Sequence, residues 1–254
     1  MGARGARPAP ALPSVIGHRG AAASAPENTL AGLRRAAALG CRWVEFDVRL
    51  SADGVLVLCH DSRLDRTTDG RGRVASQTAE QIRRYDAGGW FAARFAGEPI
   101  PTLDDALDLA IALGLGTNIE IKADRGRVVA TGTALAATLH CRRGRLPPLL
   151  VTSFLPGALA AMRENAPEFP RGLLRHVVPP NWPNLADRLG CVSIHVNHRW
   201  LDPNLAEAIR RAGYRLLAFT INDPVRARQL FSWGVTSVFS AAPELIVASC
   251  LDAT

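Results

Sequence analysis

The chain has 254 residues, enough for one large domain with a substantial buried core or two small ones. Hydrophobic residues make up 48% and charged residues 21%, ordinary for a globular protein, and no apolar run approaches the roughly 20 residues needed to cross a bilayer. The net charge is +7, but the arginines are scattered, without a dense block or interleaved aromatics. Neither nucleic-acid binding nor stable membrane association is therefore expected, while a diffuse positive field suits an anionic small molecule.

Residues 1–14, rich in Ala, Arg and Pro, carry charge but no apolar core of the length a secretory signal needs, and read as a disordered tail. The expected location is cytoplasmic. Five scattered cysteines without a C-x-x-C pair fit that location and signal neither a disulfide framework nor a zinc knuckle. From residue 15 onward, strand-like and helix-like segments alternate. Strands are expected at 14–18, 43–49, 55–60, 118–122, 149–154, 172–175, 192–196, 215–221 and 236–240. Helices are expected at 26–39, 103–113, 127–140, 156–165, 203–212 and 224–233. Pro26, Pro203 and Pro224 suit first helical turns, and Asp202 and Asp223 can cap free N–H groups. Gly40, Gly114, Gly213 and Gly234 stand where left-handed helix ends are needed, and Asp53-Gly54 reads as a hairpin turn. Such alternation predicts an α/β fold, a TIM-like (β/α)8 barrel over 15–254, with 61–101 a small insertion after the second strand region. A doubly wound open sheet is the alternative, weakened by the lack of G-x-G-x-x-G after the first strand.

Chemistry gathers at strand ends, where barrels carry their active sites. His18-Arg19 closes the first strand and offers a proton carrier beside a forked anion ligand. Glu45 and Asp47 lie two apart in WVEFDV, on one strand face, with Val44, Phe46 and Val48 on the other. Two carboxylates buried together repel unless a cation joins them. The pattern recurs in NIEIK, where Glu120 and Lys122 share a face. Lys122 is the only lysine in a chain that otherwise uses Arg, which suggests that a compact point charge was required there. His60 ends its strand as a second acid/base candidate. His195 shares a face with Ser193 and Asn197 and is expected either to border the cavity or to be a hydrogen-bonded structural residue; His140 and His176 carry no partner signal.

These motifs resemble the glycerophosphodiester phosphodiesterases. His18-Arg19-Gly20, Pro26-Glu27-Asn28-Thr29, Glu45-Phe46-Asp47, His60-Asp61, Asp65-Arg66-Thr67-Thr68-Asp69-Gly70 and Asn118–Lys122 occur in order and at suitable spacing, and CVSIHVNHRWL at 191–201 resembles the bacterial cytoplasmic members. The resemblance implies a TIM-like barrel that hydrolyses glycerophosphodiesters such as glycerophosphocholine and glycerophosphoethanolamine to sn-glycerol 3-phosphate and an alcohol. It further implies Glu45, Asp47 and Glu120 as ligands of one divalent cation, Mg2+ or Ca2+ with Mn2+ as a further choice. His18 and His60 become the acid and base, Arg19 the phosphate contact, and Glu27, Asn28 and Lys122 pocket supports, while the point charge of Lys122 itself suits a second contact to a phosphate oxygen. Phe219 stands at a position that is often a larger aromatic in the family, either lining the pocket or packing. Phe239-Ser240 replaces the family's usual Thr-Asp. Open alternatives are a lyase that stops at a cyclic phosphate and a barrel that binds glycerophosphodiesters without turnover; a homodimer is compatible with the sequence.

Overall fold

The structure, a computed structural model, describes residues 10–251. Eight parallel strands close on one another: β1 (Val15–Gly17), β2 (Trp43–Leu50), β4 (Gly116–Ile121), β5 (Leu149–Ser153), β6 (Arg171–Arg175), β7 (Cys191–Asn197), β8 (Arg215–Phe219) and β9 (Ser237–Ser240). The ring is sealed where β1 pairs with β9 on one side and with β2 on the other. Closure excludes the open doubly wound sheet. A ninth strand, β3 (Leu56–Leu58), turns back antiparallel on the end of β2 through the Asp53-Gly54 turn, with Gly54 at φ 82°.

Helices α1 (Leu30–Ala38), α3 (Leu103–Ala112), α4 (Val128–Cys141), α5 (Pro156–Asn165), α6 (Trp182–Leu189), α7 (Pro203–Arg211), α8 (Pro224–Ser232) and α9 (Pro243–Leu251) lie between or after the strands; α2 (Ala79–Ile82) belongs to the insertion. Asp202 and Asp223 cap α7 and α8 as expected, each accepting from a first-turn N–H, and a proline opens each of the two helices. Pro26 does not open a helix. Asn28 takes a left-handed φ of 56°, and α1 starts only after Thr29, whose hydroxyl accepts from Gly32 N. Helices α6 and α9 were not anticipated.

Each barrel strand buries both faces, for different reasons. On β2, Val44, Phe46 and Val48 face the helices and join a core that includes Leu33, Leu107, Ile119 and Leu135. Ile16, Trp43, Leu150, Leu217 and Phe239 fill a separate cluster, as barrel interiors are packed rather than hollow. Two glycines make room here. A Cβ on Gly116 would lie 2.2 Å from the Trp43 ring, and one on Gly172 would lie 2.7 Å from His195 Nε2.

Between β3 and α3, the segment expected as an insertion carries a small core of its own, Leu64, Val74, Ala79, Ile82, Ala87 and Ile100 against Val57 and Cys59. Of the expected tail, residues 1–9 lie outside the described part. Residues 13 and 14 are engaged with the barrel rather than disordered: Ser237 Oγ donates to Pro13 O at 2.6 Å and Val238 N to Ser14 O at 2.8 Å. Among the described residues, no helix is long and apolar enough to cross a membrane.

Candidate active site

Strand register assembles the site. Pairing of β2 with β4 sets Asp47 opposite Glu120 and Glu45 opposite Asn118, so that Glu45, Asp47 and Glu120 converge inside the barrel's carboxyl end. Each offers an oxygen within 4.8 Å of the other two, and all three residues are buried.

The loop after β1 folds over this cluster. Arg19 adopts a left-handed φ of 51°, which turns its backbone N–H onto Glu45 Oε2 at 2.8 Å. Its guanidinium donates to Glu27 Oε1 at 2.8 Å and lies 3.3 Å from Asp47 Oδ2. Gly20 follows at φ 86°, packed so closely on Gly32 that a Cβ would come within 2.5 Å of backbone. Asn28 holds Asp47 at two points: its Nδ2 donates to Asp47 Oδ2 at 2.9 Å, and its Oδ1 accepts from Asp47 N at 3.0 Å. Lys122 follows β4 and places Nζ 2.5 Å from Glu120 Oε1 and 3.5 Å from Asp47 Oδ1.

The electrostatics are those of a site built for more positive charge. Burial, then Asp47 and Glu120, push the Glu45 carboxyl well above the usual range. Burial and Asp47 likewise push Glu120 up to about 7. Burial also acts to raise Asp47, but Lys122 and Arg19 outweigh it and hold that carboxyl low. Two side-chain cations thus face three carboxylates, and Glu45 Oε1 meets no hydrogen-bond donor. A hard divalent cation would supply the missing charge and take carboxylate oxygens as ligands, and the donor set fits such an ion.

His18 and His60 stand on the same cavity. His18 Nε2 lies 3.9 Å from Glu45 Oε2, and burial together with Arg19 pushes its pKa down to about 3. His60 is also lowered by burial; its Nδ1 lies 2.6 Å from Asp61 Oδ1. The cavity, of about 350 Å³, is lined by His18, Arg19, Glu45, His60, Glu120 and Lys122 on one side. The other side carries aromatic and polar groups from the ends of β5 to β9, among them Phe154, His176, Asn197, Arg199 and Phe219. His176 stacks on Phe154 at 4.7 Å, and Phe219 meets both rings edge-on. Lys122 Nζ lies 5.3 Å from the Phe154 ring centre.

Of the two places the sequence left open for His195, it does not take the one at the cavity border. It is buried within the barrel beside the Phe239 ring, Ser193 Oγ lies 2.9 Å from its Nε2, and burial pushes its pKa down to about 3. Side chains on alternate strand positions share a face but not a depth, and His195 sits too low. Glu27 and Asn28 act one layer behind the cavity wall. Ser240, in place of a carboxylate, faces Asn222 Oδ1 at 3.0 Å and closes a local turn. His176 gave no signal in the sequence, because its ring partners come from β5 and β8.

Comparison with known proteins agrees with this geometry. A sequence model described as the glycerophosphoryl diester phosphodiesterase family matches residues 18–245. A glycerophosphodiester phosphodiesterase of Caldanaerobacter subterraneus subsp. tengcongensis is 34% identical over 236 residues, covering 92% of this chain and 96% of its own length. Glycerophosphodiester phosphodiesterase 1 of Bos taurus is 42% identical over 159 residues, 59% of this chain and 45% of its own. Among solved structures, an Oleispira antarctica phosphodiesterase in complex with the product sn-glycerol-3-phosphate superposes with a TM-score of 0.90 at 38% identity, covering 94% of this chain and 97% of that one. The chain belongs to the glycerophosphoryl diester phosphodiesterase family, whose members are hydrolases.

Proposed function

We propose that this chain hydrolyses glycerophosphodiesters, glycerophosphocholine and glycerophosphoethanolamine among them, to sn-glycerol 3-phosphate and an alcohol. One divalent cation, Mg2+ or Ca2+ with Mn2+ as a further choice, would be held by Glu45, Asp47 and Glu120. The observation that carries the reading is that two histidines, Arg19, Lys122, Glu45 and Glu120 line one side of one cavity, with buried Asp47 close to both carboxylates. When bound, the cation supplies charge neutralisation at the phosphate and lowers the pKa of the attacking hydroxyl.

The chain's own groups do the rest. His18 and His60, both kept neutral near pH 7 by burial, are able to accept a proton from the nucleophile. The one that does so becomes an imidazolium; the other first takes up a proton from solvent and delivers it to the departing alkoxide, and loss of the first ring's proton to solvent closes the cycle. Arg19 and Lys122 stabilise charge that grows on the phosphoryl oxygens in the transition state. Asn28 and Glu27 fix Asp47 and Arg19 in place. The aromatic wall of Phe154, His176 and Phe219 packs against the carbon skeleton of one ester arm and excludes water from it. The expected site of action is cytoplasmic, with the diester as a free small molecule.

The test is a product assay over a head-group panel with each metal in turn. Glycerol 3-phosphate released with metal and not with EDTA supports the reading. A cyclic phosphate as the end product, seen by phosphorus NMR, would favour a lyase. Binding without turnover in Mg2+, Ca2+ and Mn2+ would reduce the barrel to a sensor.

A further inference from the structure

We propose that Arg66, carried by the insertion, is a positioning residue for His60 that acts through Asp61. The inference rests on the reading of His60 as a proton carrier. Arg66 does not line the cavity, yet its guanidinium reaches two of the carboxylates behind it. Nε donates to Asp61 Oδ2 at 2.6 Å, and Nη1 and Nη2 donate to Glu27 Oε2 and Oε1 at 2.9 and 2.8 Å. Asp61 uses its other oxygen, Oδ1, to meet His60 Nδ1 at 2.6 Å. Glu27 in turn receives Arg19. One planar fork therefore ties the histidine's carboxylate to the carboxylate behind the phosphate-binding arginine.

The chemical consequence concerns which ring nitrogen of His60 is free. Arg66, then His60 itself, keep the Asp61 carboxyl low, at about 2, so Asp61 is an acceptor at neutral pH. An acceptor at Nδ1 requires the proton there, which leaves Nε2 as the nitrogen able to take or deliver a proton. The backbone of His60 is held separately: Arg49 Nε donates to His60 O at 2.9 Å while Arg49 Nη1 is paired with Asp124. Without Arg66, Asp61 keeps only the imidazole as a side-chain partner and is free to rotate, so the ring loses its fixed tautomer and orientation. A lysine cannot replace the fork, because one ammonium lacks the planar set of donors that spans both carboxylates.

The experiment compares wild type, Arg66→Lys, Arg66→Met, Asp61→Asn and the double variant Arg66→Met/Asp61→Asn. Nitrogen-15 NMR of the histidine side chains reads the His60 tautomer directly, with His60→Gln for assignment, and does not depend on turnover. Wild type should show Nδ1 protonated and Nε2 bare; Arg66→Met should show a mixture. In steady state on glycerophosphocholine, Arg66→Met should lower kcat by roughly 10–100-fold, the range for a group that orients a functional ligand, with KM little changed. Arg66→Lys should fall between it and wild type, and added guanidinium should restore part of the lost rate to Arg66→Met. The loss should not repeat in the Asp61→Asn background, since both changes cut the same chain of contacts. Arg66 is nearly half exposed, and thermal melting checks that the fold survives; should Arg66→Met fail to fold, Arg66→Lys carries the same comparison. Wild-type kcat and tautomer in both Arg66 variants would overturn the assignment, as would losses that add in full. If wild type turns over no diester with any metal, the functional reading fails, while the NMR comparison still decides the role of Arg66.

Discussion

Replacing Asn28 separates two things the residue does at once. Its side chain makes two buried hydrogen bonds to Asp47, and its backbone holds φ at 56°, where a Cβ is disfavoured. Asn28→Ala loses both bonds. The bond to the Asp47 carboxylate is worth about 1.5–3 kcal/mol, and stranding Asp47 N without a partner adds about 1 kcal/mol or more. Alanine also tolerates the left-handed region less well than Asn or Gly, by about 1 kcal/mol. The expected losses are about 4 kcal/mol for Asn28→Ala and about 3 kcal/mol for Asn28→Gly, although Gly has the larger unfolded-state entropy. For a chain of this size each kcal/mol moves the melting temperature by about 2–4 °C, so Asn28→Ala should melt about 8–16 °C low, with Asn28→Gly about 2–4 °C above it. Thermal melts in EDTA, with urea unfolding as a check, read these values free of metal binding. If Asn28→Gly proves no more stable than Asn28→Ala, the backbone conformation is not what restricts the position. If both stay within 0.5 kcal/mol of wild type, the Asn28–Asp47 pair does not hold the site together.

His18→Ala and His60→Ala should each lower kcat by roughly 10²–10⁴-fold in the glycerol 3-phosphate assay, and full activity in either would remove that histidine from proton transfer. Glu45→Gln should abolish metal-dependent turnover while raising the melting temperature in EDTA, because the buried Glu45 charge opposes Asp47 and Glu120; a fall in that melting temperature would contradict the repulsion. The metal-free protein should lose stability as pH rises from the ordinary carboxylate range to about 7. Glu45 and Glu120 bind protons more tightly folded than unfolded, so below that window they favour the fold and above it they oppose it. Excess Mg2+ should flatten this slope in urea titrations at pH 5 and pH 8. Gly172→Ala should cost about 1–3 kcal/mol by overpacking the barrel interior, since a Cβ would stand 2.5 Å from Ser193 Oγ and 2.7 Å from His195 Nε2.

Much of the fold was legible because strands buried on both sides write a strong signal. The nine expected strands match the observed ones to within a few residues at each end, and the same-face spacing of Glu45 with Asp47 placed both acids inside. What the sequence did not disclose has local causes. Helix α6 buries Trp182, Ala186 and Leu189 at helical spacing, but Pro179, Pro180 and Pro183 crowd its start and disguise it as a loop. Helix α9 opens with Pro243-Glu244 and runs on through the unbroken apolar stretch Leu245–Ala248, in which no helical stripe stands out. Pro26 looked like a helix start because the left-handed turn at Asn28 leaves no mark in composition. The burial of His195 away from the cavity and the ring stack at His176 share a further cause. Depth within a barrel, and neighbours contributed by strands far apart in the chain, are set by register and closure, which no single segment encodes.

The division of the cavity has a consequence for how such a protein diverges. His18, Arg19, Glu45, Asp47, His60, Glu120 and Lys122 all come from the first half of the chain, while the facing wall comes from the ends of β5 to β9. The two halves meet across the cavity and at the seams where β4 joins β5 and β1 joins β9. Mutation in the later loops can therefore recast the shape and polarity of the facing wall while the charged cluster stays unchanged. If the proposed roles hold, bond-breaking and recognition lie on two separate stretches of sequence, and substitutions in the later loops should change substrate preference without touching the charged cluster.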